Sequence, residues 1–131
     1  MGTTATGTFN VTGWDESTFD ELDDGAKLTR ATIGQAFTGD LEADVRWETL
    51  MGYRGDGTAV ITGLARITGT LGGRSGSFVC LTEGTYDGTE ARSTWTIVEG
   101  AGTGDLKGMT GEGTSAATSE PPGHYTLTYD V

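Results

Sequence analysis

Turn-forming residues recur along this chain at near-regular intervals, and that spacing constrains the fold more than any other feature. Asp24-Gly25, Gly39-Asp40, Asp56-Gly57, Gly72-Gly73, Asp87-Gly88, Gly102-Thr103-Gly104 and Pro121-Pro122-Gly123 follow one another at about 15 to 19 residues. Asp-Gly and Gly-Gly pairs supply the positive φ angles that tight hairpins require. The turns bound eight segments, roughly 3–14, 26–38, 41–53, 58–71, 74–86, 89–99, 104–116 and 123–131. The 23 glycines in 131 residues are more than twice the usual share of about 7%. Glycine costs about 1 kcal/mol relative to alanine inside a helix, so a helical bundle is excluded.

Several segments alternate with period two, the signature of a half-buried strand. In the third, Leu41, Ala43, Val45, Trp47, Thr49, Met51 and Tyr53 share one face, with Glu42, Asp44, Arg46 and Glu48 on the other. A helix over 41–51 would spread those charges around its axis, so the strand reading wins. Trp95 and Ile97 share a face in the sixth segment, as do Tyr125, Leu127, Tyr129 and Val131 in the eighth and Phe9 and Val11 in the first. The fourth and fifth segments are apolar on both faces in places, which indicates a partly covered outer wall. The seventh, with its many glycines, is the weakest strand. Residues 15–24 carry six acids in ten positions and read as a solvated charged loop, with Phe19 and Leu22 spaced for a single helical turn.

Eight consecutive strands with short connections predict one domain over residues 1–131, an all-β, eight-stranded, antiparallel up-and-down β-barrel. Closure removes the edges that an open sheet would expose. A β-sandwich is the alternative. Eight strands enclose room for packed side chains or for one small ligand.

Charge narrows the partners. Eight Lys and Arg against 19 Asp and Glu give a net charge of −11. Binding to nucleic acid or to an anionic membrane surface needs clustered cations, and the sequence has none, so neither is expected. One cysteine and one histidine exclude an intrachain disulfide and a conventional zinc site. No nucleotide-binding or hydrolase signature is present, and neither a cofactor nor a metal is expected. The N-terminal residues lack the pattern of a secretory signal, and the lone Cys80 fits a reducing compartment, so the expected location is the cytoplasm.

Four stretches carry a resemblance. They are Gly7-Thr8-Phe9-Asn10-Val11 with Trp14, Gln35-Ala36-Phe37-Thr38-Gly39-Asp40-Leu41-Glu42, Gly69 through Val79, and Gly102-Thr103-Gly104-Asp105-Leu106. Together they resemble an uncharacterised bacterial family, domain of unknown function 3224, over nearly the whole chain. The resemblance implies an antiparallel barrel similar to that of plant allene oxide cyclase. It implies no assigned activity. Members of the family often carry a Gln-His pair where this sequence reads Leu81-Thr82, so no catalytic residue carries over.

The alternating apolar residues point to a barrel that encloses a hydrophobic small molecule, neutral or cationic, and the resemblance to the allene oxide cyclase barrel implies a cofactor-free isomerase or cyclase. The same residues allow a non-catalytic carrier, or a structural oligomer with a filled interior. Phe9, Val11, Trp47, Thr49, Met51, Tyr53, Val79, Leu81, Trp95, Ile97, Tyr125, Leu127 and Tyr129 are the expected interior lining. Alternation from Ser77 through Val79 and Leu81 puts Glu83 on that lining as the candidate catalytic acid, because a carboxylate in an apolar barrel is suited to moving protons. Cys80 falls on the opposite face with Phe78 and Thr82 and reads as a small buried hydrophobe. An outer face carrying Val60, Leu64 and Phe78 is a large patch for a monomer, and a homodimer is expected.

Overall fold

The computed structural model describes residues 2–131 and is a closed barrel of eight antiparallel strands in sequence order. The strands are β1 (Thr3–Glu21), β2 (Lys27–Gly39), β3 (Leu41–Tyr53), β4 (Ala59–Leu71), β5 (Arg74–Tyr86), β6 (Ala91–Ile97), β7 (Thr110–Ala117) and β8 (Gly123–Asp130). Short 3₁₀ turns at Asp23–Gly25 and Gly104–Leu106 are the only helical pieces among the described residues. Among the described residues, no helix is long and apolar enough to cross a membrane.

Hairpin chemistry sets the registers. Leu71 faces Arg74 across Gly72 and Gly73, whose φ angles of 57° and 83° only glycine adopts freely. Closure comes from Thr3–Phe9 of β1 pairing with Gly123–Tyr129 of β8. The barrel is staggered. A cross-strand row that starts at Gly7 runs through Tyr125, Ser115, Ser93, Gly84, Ile61, Met51 and Thr29, and returns to β1 at Thr18. Because of this stagger β1 outgrows β8, which stops opposite Phe9 at Gly123.

Residues 15–21 therefore continue β1 against β2, with irregularities between Val11 and Gly13 and between Thr18 and Asp20. The expected acidic loop is a strand whose side chains, the half-buried Glu16 apart, are exposed, and only Asp23–Gly25 turns. Acids disfavour strands, but β2 offers a full ladder beside them, and tertiary pairing overrides propensity. The seventh strand begins later than its segment. Residues 98–109 form a loop that takes the place of β6 beside the upper half of β5. In it Val98 N–H donates to the Val79 carbonyl at 2.8 Å and Thr103 N–H to the Ser77 carbonyl at 2.9 Å. Leu106 and Met109 from this loop are buried and belong to the core.

Aromatic rings fill the middle of the barrel. Phe37 lies 5.0 Å from Phe9, 4.8 Å from Tyr125 and 5.6 Å from Trp95, and Trp95 meets Trp47 edge-on at 6.0 Å. Such offset and tilted contacts add to the burial of the rings themselves.

Candidate functional site

The interior holds most of the expected lining. Phe9, Trp47, Thr49, Met51, Trp95, Ile97, Tyr125, Leu127 and Tyr129 are buried, and Tyr53 is half-buried on the same face. Three lining residues and the candidate acid are elsewhere. Leu81 is 48% exposed, Val79 is half-buried and Glu83 is exposed, all on the outer wall. The inward residues of β5 are Phe78, Cys80 and Thr82. Alternation failed here because both faces of β5 are apolar, and Ser77 on the outer face is buried by the loop rather than by the core: its hydroxyl lies 2.7 Å from Thr103 Oγ1. Phe78, expected outside as part of a dimer patch, is 1% exposed and inside. Val11 shares the inward face but sits past the end of β8, where no wall faces it, and is 51% exposed.

The hydroxyl of the interior Tyr125 is engaged by the protein. Tyr125 Oη accepts from the Leu41 N–H at 3.0 Å and donates toward the carbonyls of Thr38 at 3.0 Å and Leu41 at 3.2 Å. Burial pushes the Cys80 thiol up to about 12, which keeps it protonated and inert. Thr82 Oγ1 and Trp95 Nε1, directly paired across β5 and β6, are buried without hydrogen-bond partners.

Polar chemistry gathers at the open end, where β1 extends beyond β8. Glu16 accepts from Thr29 Oγ1 at 2.7 Å, Tyr53 Oη at 2.9 Å and Trp14 Nε1 at 3.0 Å. Burial alone would raise this carboxyl. The three donations and the charge of Lys27 outweigh it and hold the group below the usual carboxylate range. Tyr53 moves the other way, pushed up to about 12 by burial and by the neighbouring Glu16. The Lys27 ammonium lies 5.2 Å from the centre of the Tyr53 ring. Sequence reasoning had no signal for this cluster, because its members are on three strands and Glu16 lay in a run read as loop.

A broad concavity is on the outer wall. A furrow of about 1090 Å³ runs across the strands. Its residues fall in adjacent cross-strand rows: Leu50, Thr62, Glu83, Thr94, Thr114 and Thr126 on one side, and Val60, Thr85, Arg92, Ala116 and His124 on the other. Leu28 and Phe19 close one end. Leu50, Val60 and Phe19 are each about half exposed or more. Glu83, excluded from the interior, lines this furrow with Arg92 and His124.

Comparison with known proteins agrees with the fold. Residues 5–129 match the family model described as protein of unknown function (DUF3224). A crystal structure of a protein with unknown function from the DUF3224 family, from Shewanella oneidensis MR-1, is similar with a TM-score of 0.84 and 26% identity, covering 99% of this chain and 98% of that one. No curated protein matches the chain.

Proposed function

Because the chain belongs to the DUF3224 family, whose description records no function, we propose that it is a non-catalytic binding barrel whose ligand occupies the outer furrow rather than the interior. One observation carries this reading. The aromatic rings fill the middle of the barrel, while Leu28, Leu50 and Val60 line an external furrow of about 1090 Å³, just above the roughly 300–1,000 Å³ typical of small-molecule sites. The ligand is substantially apolar, and neutral or cationic, because a chain of net charge −11 repels anions. Glu83 and Arg92 place charged groups midway along the furrow, beside its apolar end. An exposed carboxylate on an open wall excludes no water from a reacting group, so this reading assigns Glu83 to binding and not to proton transfer.

Titration with a neutral hydrophobic dye such as Nile red, followed by fluorescence, tests the reading. Leu50→Glu and Val60→Glu should each weaken dye binding at least tenfold with the far-ultraviolet circular dichroism unchanged. Undiminished binding in both variants refutes the furrow. A second reading rests on the same wall: Leu64 pairs directly with Leu81 and both are about half exposed, an apolar strip suited to a two-fold dimer. Sedimentation then gives twice the mass of 13.6 kDa, and Leu64→Glu returns the monomer. A monomer at every concentration leaves the strip to the ligand.

A further inference from the structure

The stagger that closes the barrel leaves part of one strand half-paired. Past Phe9, β1 has β2 on one side and no strand on the other. Among the described residues, no turn or loop backbone hydrogen bond reaches 10–21. A strand edge of this kind presents a row of unpaired N–H and C=O groups, a template for another extended chain. Between its two irregularities, Gly13–Thr18 pairs with β2 without interruption, so the free edge there is regular enough to accept a ladder. A cleft of about 300 Å³ opens where β1 parts from β8, between Phe9–Val11 and the turn from Ala117 to Gly123.

The charges beside this edge select the occupant. Asp15, Glu16, Asp20 and Glu21 lie on the strand, and Asp23 and Asp24 follow in the turn. A second copy laid along the same edge would set acids against acids, and like charges placed opposite destabilise a sheet. Val11 and Trp14 are each about half exposed and Phe19 more so, which gives an added strand apolar surface to cover. We propose that the free edge of β1, centred on Gly13–Thr18, receives an extended peptide segment rich in lysine or arginine by strand addition. Main-chain hydrogen bonds supply the docking, and the acids supply the sign preference.

Two synthetic probes test this, one alternating lysine and valine and one alternating glutamate and valine. Isotope-labelled protein is titrated with each, and amide exchange is followed residue by residue. The cationic peptide should bind, slow exchange at edge amides within 13–18 at least tenfold, and weaken as salt rises. The acidic peptide should do neither. Asp15→Lys combined with Asp20→Lys should reduce affinity for the cationic peptide at least tenfold, with the amide spectrum of β3–β8 unchanged. If that variant fails to fold, the contrast between the two peptides on the unaltered protein still decides. Equal binding of both peptides, or protection confined to other strands, overturns the proposal. Protection of 13–18 that grows with protein concentration and without peptide also overturns it, because the occupant is then a second copy.

Discussion

At Glu16 three donors from three strands converge on one carboxylate, and that convergence links a side chain to the stability of the open end. Its folded-state pKa is lowered, so its contribution is fully present above the ordinary carboxylate value of about 4.3 and is lost as pH falls through the lower folded value. Denaturation measured from pH 7 down to pH 3 should therefore show a steeper loss for the unaltered protein than for Glu16→Gln. Parallel curves would show that the three hydrogen bonds leave folding unaffected. Trp95 tests the interior instead. It touches Phe37, Trp47 and Tyr125, and its Nε1 makes no hydrogen bond, so what it contributes is packing. Trp95→Ala should cost about 3–5 kcal/mol in urea unfolding, and a loss below about 1 kcal/mol would mean that the core closes over the gap.

Among the elements, β5 shows both how far the pattern could be read and where it failed. The expected spans 41–53 and 74–86 coincide with β3 and β5, because Gly-Asp, Asp-Gly and Gly-Gly turns fix their ends. The interior aromatics were legible for a similar reason, since Trp47 and Trp95 sit mid-strand in clean alternation. In β5 both faces are apolar, Phe78 and Cys80 beside Val79 and Leu81, so alternation alone does not set the phase, and the loop that covers the outer face at Ser77 has no signature in local sequence. The extension of β1 was illegible too: nothing in residues 15–21 announces a strand whose partner ladder comes from the barrel's stagger. The loop's hold on β5 gives a prediction of definite sign. A Cβ at Gly76 would fall 2.1 Å from the Thr103 carbonyl oxygen. Strand propensity alone favours alanine there, yet Gly76→Ala should destabilise by about 1–3 kcal/mol. Thermal unfolding that shows a gain would place the loop farther from β5 than described.

For the molecule as a whole, the arrangement separates a filled centre from the proposed binding surfaces on its outer wall and its open end. The aromatic layer lends rigidity, and the furrow and the unpaired edge of β1 are left free to vary without disturbing it. This division has a temporal side. Gly7 pairs with Tyr125, so the seam that seals the barrel joins segments from opposite extremes of the sequence. Such long-range pairing is slow to form. During synthesis β1 emerges first and waits for β8, with Thr3–Phe9 unpaired on that side until Gly123–Tyr129 has left the ribosome. A nascent chain halted before Gly123 holds seven strands and two open borders, so its hazard is sticking to its neighbours rather than settling into a smaller barrel.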